Sequence, residues 1–221
     1  MNSHQFSVNK ISQNTNIVSD YISTKMSPNV FLAFQITNPE LIKNLRKAHF
    51  NCVMKDNRLK DFITPLETAH VTLNVFRVES ERLEEAKVII QEVFKANIEQ
   101  LKPEGPVSFQ GLGMFGKTVL FAKPNTGIEF LQRAHDIFKE ALGKNNFDLT
   151  GHGSYNPHVT LFQVRGAAGN SLKEIPRQCF EDMEEMEFGS QEVEEIQFLS
   201  MTKEKDSSGY FYSEDSYNLG V

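Results

Sequence analysis

The chain has 221 residues, 23 Lys+Arg against 29 Asp+Glu and 39% hydrophobic residues, for a formal charge of −6. That is enough for one globular domain with a sizeable core, and the acidic balance excludes a protein that holds long nucleic acid by neutralising many phosphates. No apolar run approaches the roughly 20 residues needed to cross a bilayer, and the polar residues 1–10 lack the apolar core of a secretory signal, so no membrane attachment is expected and the setting is cytoplasmic or nuclear.

Residues 1–27 are rich in Asn, Ser and Thr, with only Val8, Ile11, Val18 and Ile22 near a helical spacing; they predict a disordered tail with at most one weak helix. The domain is expected over residues 28–221. Residues 30–36 form an apolar run of strand length, and Asn38 then Pro39 supply a cap and a first helical residue. The helix over about 39–54 places Leu41, Leu45, Ala48 and Cys52 on one buried stripe, with His49 beside it in a packing or surface role. Cys52 and Cys179, the only thiols, predict reduced core residues.

Residues 68–78 alternate like a strand, and 79–101 have the period of one long helix. A short strand over 107–110, a glycine-rich turn over 111–116 and a strand over 118–123 predict a hairpin. Asn125 is expected to cap a helix that buries Ile128, Leu131, Ala134, Phe138 and Leu142 and stops at Gly143. A loop over 144–157 leads to a strand at 158–164, a second loop over 165–174 to a short helix opened by Pro176, and strands at about 193–202 and 210–217 close the chain. The acidic stretch 181–195 reads as a solvated face. About seven strands and four helices, with many neighbouring strands close enough to pair as hairpins, favour α+β over a doubly wound parallel sheet.

The most specific feature is a repeat. His70–Val71–Thr72–Leu73 and His158–Val159–Thr160–Leu161 are identical, and each opens a predicted strand. With side chains alternating faces, each tetrapeptide presents an imidazole and a hydroxyl on one face, about 6.5–7 Å apart along the strand, and buries its two aliphatics on the other. Two imidazoles can serve as base and acid in one transition state. Two threonine hydroxyls can donate to oxygens on which charge builds as phosphorus becomes five-coordinate. Neither task needs a metal or a cofactor.

Two His-x-Thr motifs, one in each half of the domain, resemble the 2H phosphoesterase superfamily. The resemblance is closer to the nucleotide-binding central domain of the A-kinase-anchoring proteins, carried by residues 30–38, 109–115, 157–160 and 209–214 in the same order and covering about 29–216. It implies a bilobal α+β fold of the LigT-like type, in which two β-sheets form a groove and two pseudosymmetric lobes each supply one motif. It also implies a metal-independent phosphodiesterase that cleaves 2′,5′-linked oligoadenylates or related nucleotides. His70 and His158 then become the acid–base pair, and Thr72 and Thr160 the phosphate clamps. The anchoring proteins continue into a C-terminal amphipathic helix that binds a kinase subunit; this sequence shows no such segment before Val221, so the expected partner is a short nucleotide or oligonucleotide, and kinase anchoring is doubtful unless the weak pattern in residues 1–27 replaces that helix.

On strand parity, Asn74 and Phe76 follow His70 and Thr72 onto the groove face and Phe162 follows Thr160, so Phe76 or Phe162 can stack on a base or join the core. Tyr210 and Tyr212 match aromatic positions of the family and are further candidates for base contact, as is Phe34. Lys117, Lys123, Arg77 and Arg165 are candidate cations for a second phosphate. A metal set of Asp148, His152 and His158 and a phosphate cradle at Gly111–Gly116 are weaker readings. Competing functions are a non-catalytic mononucleotide-binding module and a phosphodiesterase acting on 2′,3′-cyclic phosphates at RNA ends.

Overall fold

A computed structural model describes residues 27–150, 153–165 and 172–220. The expected tail, His152 and most of the loop over 165–174 lie outside these residues. Among the described residues there are nine strands, β1 (Val30–Gln35), β2 (His70–Arg77), β3 (Val107–Phe115), β4 (Val119–Pro124), β5 (Asp148–Leu149), β6 (Val159–Gln163), β7 (Glu187–Gln191), β8 (Glu195–Ser200) and β9 (Ser213–Asn218). Four α-helices accompany them, α1 (Pro39–Lys55), α2 (Leu83–Ala96), α3 (Ile98–Leu101) and α4 (Ile128–Lys144). The fold is α+β, with two antiparallel sheets in the orders β5-β2-β1-β8-β9 and β6-β4-β3-β7.

The orders match strand for strand around the motifs. β2 and β6 carry the repeats, and their inner neighbours β1 and β4 each precede the helix, α1 or α4, that leads to the motif strand. The helices cross over: α1 packs on β6 and β7 of the second sheet, and α4 packs on β2 and β5 of the first. One hydrophobic cluster runs beneath both sheets, and a smaller one of Phe31, Ala33, Leu199 and Tyr210 lies on the other face of β1 and β8.

Helix α1 begins where the sequence places it. Asn38 Oδ1 accepts the N–H groups of Glu40 and Leu41 at 3.0 and 3.1 Å, Pro39 opens the helix, and Leu41, Leu45, Ala48 and Cys52 are buried. The helix expected over 79–101 is instead divided. A 3-10 turn at Ser80–Arg82 precedes α2, and Asn97 ends it by donating its side-chain amide to Val93 O at 2.8 Å, a local bond that competes with helix continuation. Asn125 does not cap α4: its N–H goes to Ser108 O at 2.7 Å and Gly127, in a left-handed conformation, occupies the cap position. Gly143 lies within α4, which runs one residue further.

The glycine-rich segment is not a turn. Gly111 and Gly113 lie inside β3, whose pairing with β4 and β7 shifts register there, and the turn sits at residues 116–118. Gly111 has φ +78, and its N–H donates to Met186 O at 2.8 Å, so the bulge ties β3 to the segment before β7. β7 and β5 were not expected from the sequence. β7 hides in the acidic stretch because Glu187 points out while Phe188 and Gln191 are buried, and Gln191 Oε1 accepts Thr37 N and Asn38 N at 2.8 Å.

A methyl group at Gly113 would lie 2.5 Å from Phe121 Cε2. Phe121 in turn packs on the His158 ring at a centroid distance of 5.1 Å. Gly113→Ala is therefore expected to lower stability by about 1–3 kcal/mol in urea unfolding and to shift the His158 imidazole resonances. Gly105→Ala, with nothing within 4 Å, should do neither.

Candidate active site

The two tetrapeptides open β2 and β6, the strands through which the two sheets touch. Alternation holds through each motif: His70 and Thr72 are half-buried while Val71 and Leu73 are buried, and Thr160 is half-buried between buried Val159 and Leu161. Each histidine is anchored in the same way. His70 Nδ1 lies 2.7 Å from Thr68 O and His158 Nδ1 lies 2.8 Å from Asn156 O, in both cases the carbonyl two residues earlier. A carbonyl only accepts, so Nδ1 carries the proton and Nε2 is the nitrogen left for chemistry. In His70 that nitrogen takes the Thr72 hydroxyl at 3.1 Å.

A groove of about 1010 Å³ is lined by His70, Thr72 and Thr160, with Gln163, Arg165, Lys205, Met201 and Phe211 on its walls and Asp61 to Pro65 along one rim. Thr72 also lines a recess of about 190 Å³ that reaches His158, His135 and Tyr155. Aromatic rings surround both imidazoles. Phe31 and Phe211 pack on His70 at 5.1 and 5.5 Å, and Phe115 and Phe121 on His158 at 4.8 and 5.1 Å. Removal from water disfavours the imidazolium. Burial pushes His70 down to about 4, against the Thr68 bond that favours the cation and with the His158 charge adding to the depression; burial lowers His158 less strongly.

Of the aromatic candidates, Phe34, Phe76 and Phe162 are buried in the main cluster, on the side away from the groove. Phe76 stacks on Phe198 at 5.6 Å and Phe162 meets His49 at 5.1 Å. Parity misplaces the last two for one reason: pairing skips Leu73 between Thr72 and Asn74, and skips Leu161 between Thr160 and Phe162, so a bulge after each motif reverses the faces. Phe34 is a simple parity matter, since Phe31 and Ala33 face the groove side of β1 and Phe34 does not. Tyr210 and Tyr212 precede β9: Tyr210 is buried in the small cluster, and Tyr212 is exposed beneath Lys203 Nζ at 4.5 Å. The ring that reaches the groove is Phe211, between them. Phe31 was readable from its alternation with Ala33; Phe211, in irregular backbone, gave no period to read.

Among the candidate cations Arg165 lines the groove and donates to Gln163 Oε1 at 3.1 Å, Arg77 pairs with Glu79 at 2.8 Å, and Lys117 with Glu174 at 3.0 Å. Lys123 lies against Gly111, away from the groove lining. Lys205 was not anticipated. Asp148 sits in β5 opposite Arg77, and among the described residues no three His, Cys, Asp or Glu side chains come together as metal ligands. No helix among those residues is long and apolar enough to cross a membrane.

Known structures share this fold. E. coli LigT complexed with 3′-AMP superposes with a TM-score of 0.59 at 11% identity, covering 88% of this chain and 99% of that one. TT0787 of Thermus thermophilus gives 0.58 at 18% identity, covering 86% and 97%. Fold and paired motifs together define a phosphoesterase of the 2H class. Within that class the model of the AKAP7 2′5′ RNA ligase-like domain matches residues 28–219, and the chain belongs to this family. Human A-kinase anchor protein 7 isoform gamma is 26% identical over 242 residues, covering 98% of this chain; the chain spans 66% of that relative's length.

His49, buried in α1, is also pushed down to about 4 by burial. An unfolded imidazole titrates near 6.5. The unfolded chain therefore binds protons first as pH falls, so the stability that His49 and His70 contribute is complete above about 6.5 and is lost as pH drops towards 4. The urea midpoint should decline across that window, and His49→Gln should make the decline shallower. An unchanged slope in that variant would contradict a buried neutral imidazole.

Proposed function

We propose that this 2H phosphoesterase is a metal-independent phosphodiesterase that cleaves 2′,5′-linked oligoadenylates or related 2′,5′-linked nucleotides with His70 and His158 as its acid–base pair. The observation that carries the reading is the duplicated anchoring: two imidazoles fixed through Nδ1 to the carbonyl two residues back, each with Nε2 left to exchange a proton and each followed by a threonine hydroxyl. The LigT structure with 3′-AMP adds that a protein of this fold accepts a mononucleotide.

A 2′,5′ linkage leaves a 3′-hydroxyl beside the phosphorus. His70, the more strongly depressed of the two, is the base: its Nε2 takes the 3′-hydroxyl proton as the 3′-oxygen attacks phosphorus. His158, protonated at Nε2, delivers its proton to the departing 5′-oxygen. The products are a 2′,3′-cyclic phosphate and a free 5′-hydroxyl. Water in place of the 3′-hydroxyl gives a phosphomonoester by the same proton transfers. Thr72 and Thr160 donate to the phosphate oxygens, Thr72 turning from His70 Nε2 as that atom takes up the proton. The base lies against Phe211, and Lys205, with Nζ 5.5 Å from that ring, meets a neighbouring phosphate.

His70→Ala and His158→Ala should each lower kcat/KM by about 10²–10⁴-fold, and Phe211→Ala should raise KM with a smaller effect on kcat. The decisive assay sets 2′,5′- and 3′,5′-linked oligoadenylates, cyclic dinucleotides and 2′,3′-cyclic nucleotides side by side in chelator. Activity lost in chelator refutes the metal-free scheme, preference for 3′,5′ linkages rejects the substrate, and nucleotide binding without turnover leaves a binding module. kcat/KM should rise as pH passes about 4, where His70 loses its proton, and fall as pH passes the His158 value below 6.5. An optimum on the alkaline side of neutrality would overturn the assignment.

A further inference from the structure

Both motifs end on the same irregularity. β1–β2 pairing runs from Ala33 opposite Thr72 to Leu32 opposite Asn74, and β4–β6 pairing from Phe121 opposite Thr160 to Leu120 opposite Phe162. Leu73 and Leu161 are left over. A bulged residue is out of step with the ladder, and its buried carbonyl needs a donor from elsewhere. In each lobe the donor is a histidine on the helix that crosses from the other sheet. His49 Nε2, on α1, lies 2.9 Å from Leu161 O, and His135 Nδ1, on α4, lies 2.7 Å from Leu73 O.

The supporting contacts differ between the lobes. Leu161 O also receives Thr64 N at 2.9 Å, and His49 meets Phe162 edge-on at 5.1 Å. On the other side Tyr155 stacks on His135 at 4.2 Å and donates its hydroxyl to Thr72 O at 2.9 Å, so two consecutive carbonyls of the first motif are held. We infer that His49 and His135 are positioning residues, each fixing the bulge carbonyl one peptide beyond a phosphate-clamping threonine and thereby the direction of that hydroxyl and of the motif imidazole.

The brace makes a claim about which ring nitrogen matters. Since a carbonyl only accepts, His49 donates from Nε2 and His135 from Nδ1, where the Leu73 O contact at 2.7 Å is shorter than that of the Asn74 amide nitrogen at 3.1 Å. A glutamine amide reaches about as far as Nε2, an asparagine amide about as far as Nδ1. The two positions should therefore show opposite rescue.

This rests on the phosphodiesterase reading, and the experiment separates the two. His49→Gln and His135→Asn should keep kcat within about threefold, whereas His49→Asn and His135→Gln should lower kcat about 10–100-fold with KM changed little. In double-mutant cycles His49→Asn should couple to Thr160→Ala and add independently to Thr72→Ala, with His135→Gln showing the converse. Equal effects of both amides at one position, or coupling to the wrong threonine, overturn the inference. The same variants are read by amide NMR, which needs no turnover. His49→Asn should move the signals of residues 160–162 and leave those of 72–74 in place, and His135→Gln the reverse; shifts spread over both motifs overturn the brace. If the wild type cleaves none of the linkages while this NMR pattern appears, the enzymatic reading fails and the brace stands.

Discussion

The Nδ1–H of His70 is committed to Thr68 O at 2.7 Å and that of His158 to Asn156 O at 2.8 Å. Each bond runs from the motif histidine back to the carbonyl two residues earlier, Thr68 in a 3-10 turn and Asn156 in the loop before β6, so ring orientation, tautomer and the outward direction of Nε2 are set by the backbone that leads into each strand. The acceptors differ in sequence, Thr68 and Asn156, yet the separation of two residues is the same. Chemistry at Nε2 depends on that separation, and the threonine two residues later shares the face by the same alternation.

Rings then decide the protonation state. Phe31 and Phe211 against His70, and Phe115 and Phe121 against His158, remove water from both imidazoles, and burial is the main cause of depression for each. The carbonyl bonds work the other way, since an Nδ1–H donor is stronger in the cation. The balance is not equal in the two halves. A pair that begins identical in sequence becomes unequal through its packing, as the proposed acid and base require.

The sequence displayed the motifs, the first helix and its cap, and the α+β class, because identity, period and cap chemistry are local. What it did not display were the bulges. Nothing in the two identical tetrapeptides marks Leu73 and Leu161 as residues that the ladder skips, because a bulge is a property of two strands in register and only one is visible at a time. One skipped residue per strand sends Phe76 and Phe162 into the core. The same limit hid β7, which lies within a run of carboxylates that reads as a solvated face, and the bulge at Gly111, which shares its composition with a turn. His49 reads as a packing or surface residue, and neither its role nor that of His135 is visible until α1 and α4 are seen to cross to the opposite sheets.

The charge of −6 is distributed so as to favour a short ligand. Arg165 and Lys205 are on the groove walls and Asp61 is on its rim, while Arg77 and Lys117 pair with Glu79 and Glu174 away from the groove lining. Binding a polymer needs cations spaced along many phosphates. The groove instead offers two cations, two hydroxyls and the His70 imidazole, with His158 in the recess that Thr72 shares, a set that suits the proposed short substrate. On the proposed reading a short nucleotide meets these groups, and a longer polymer would extend over a chain whose formal charge of −6 repels it.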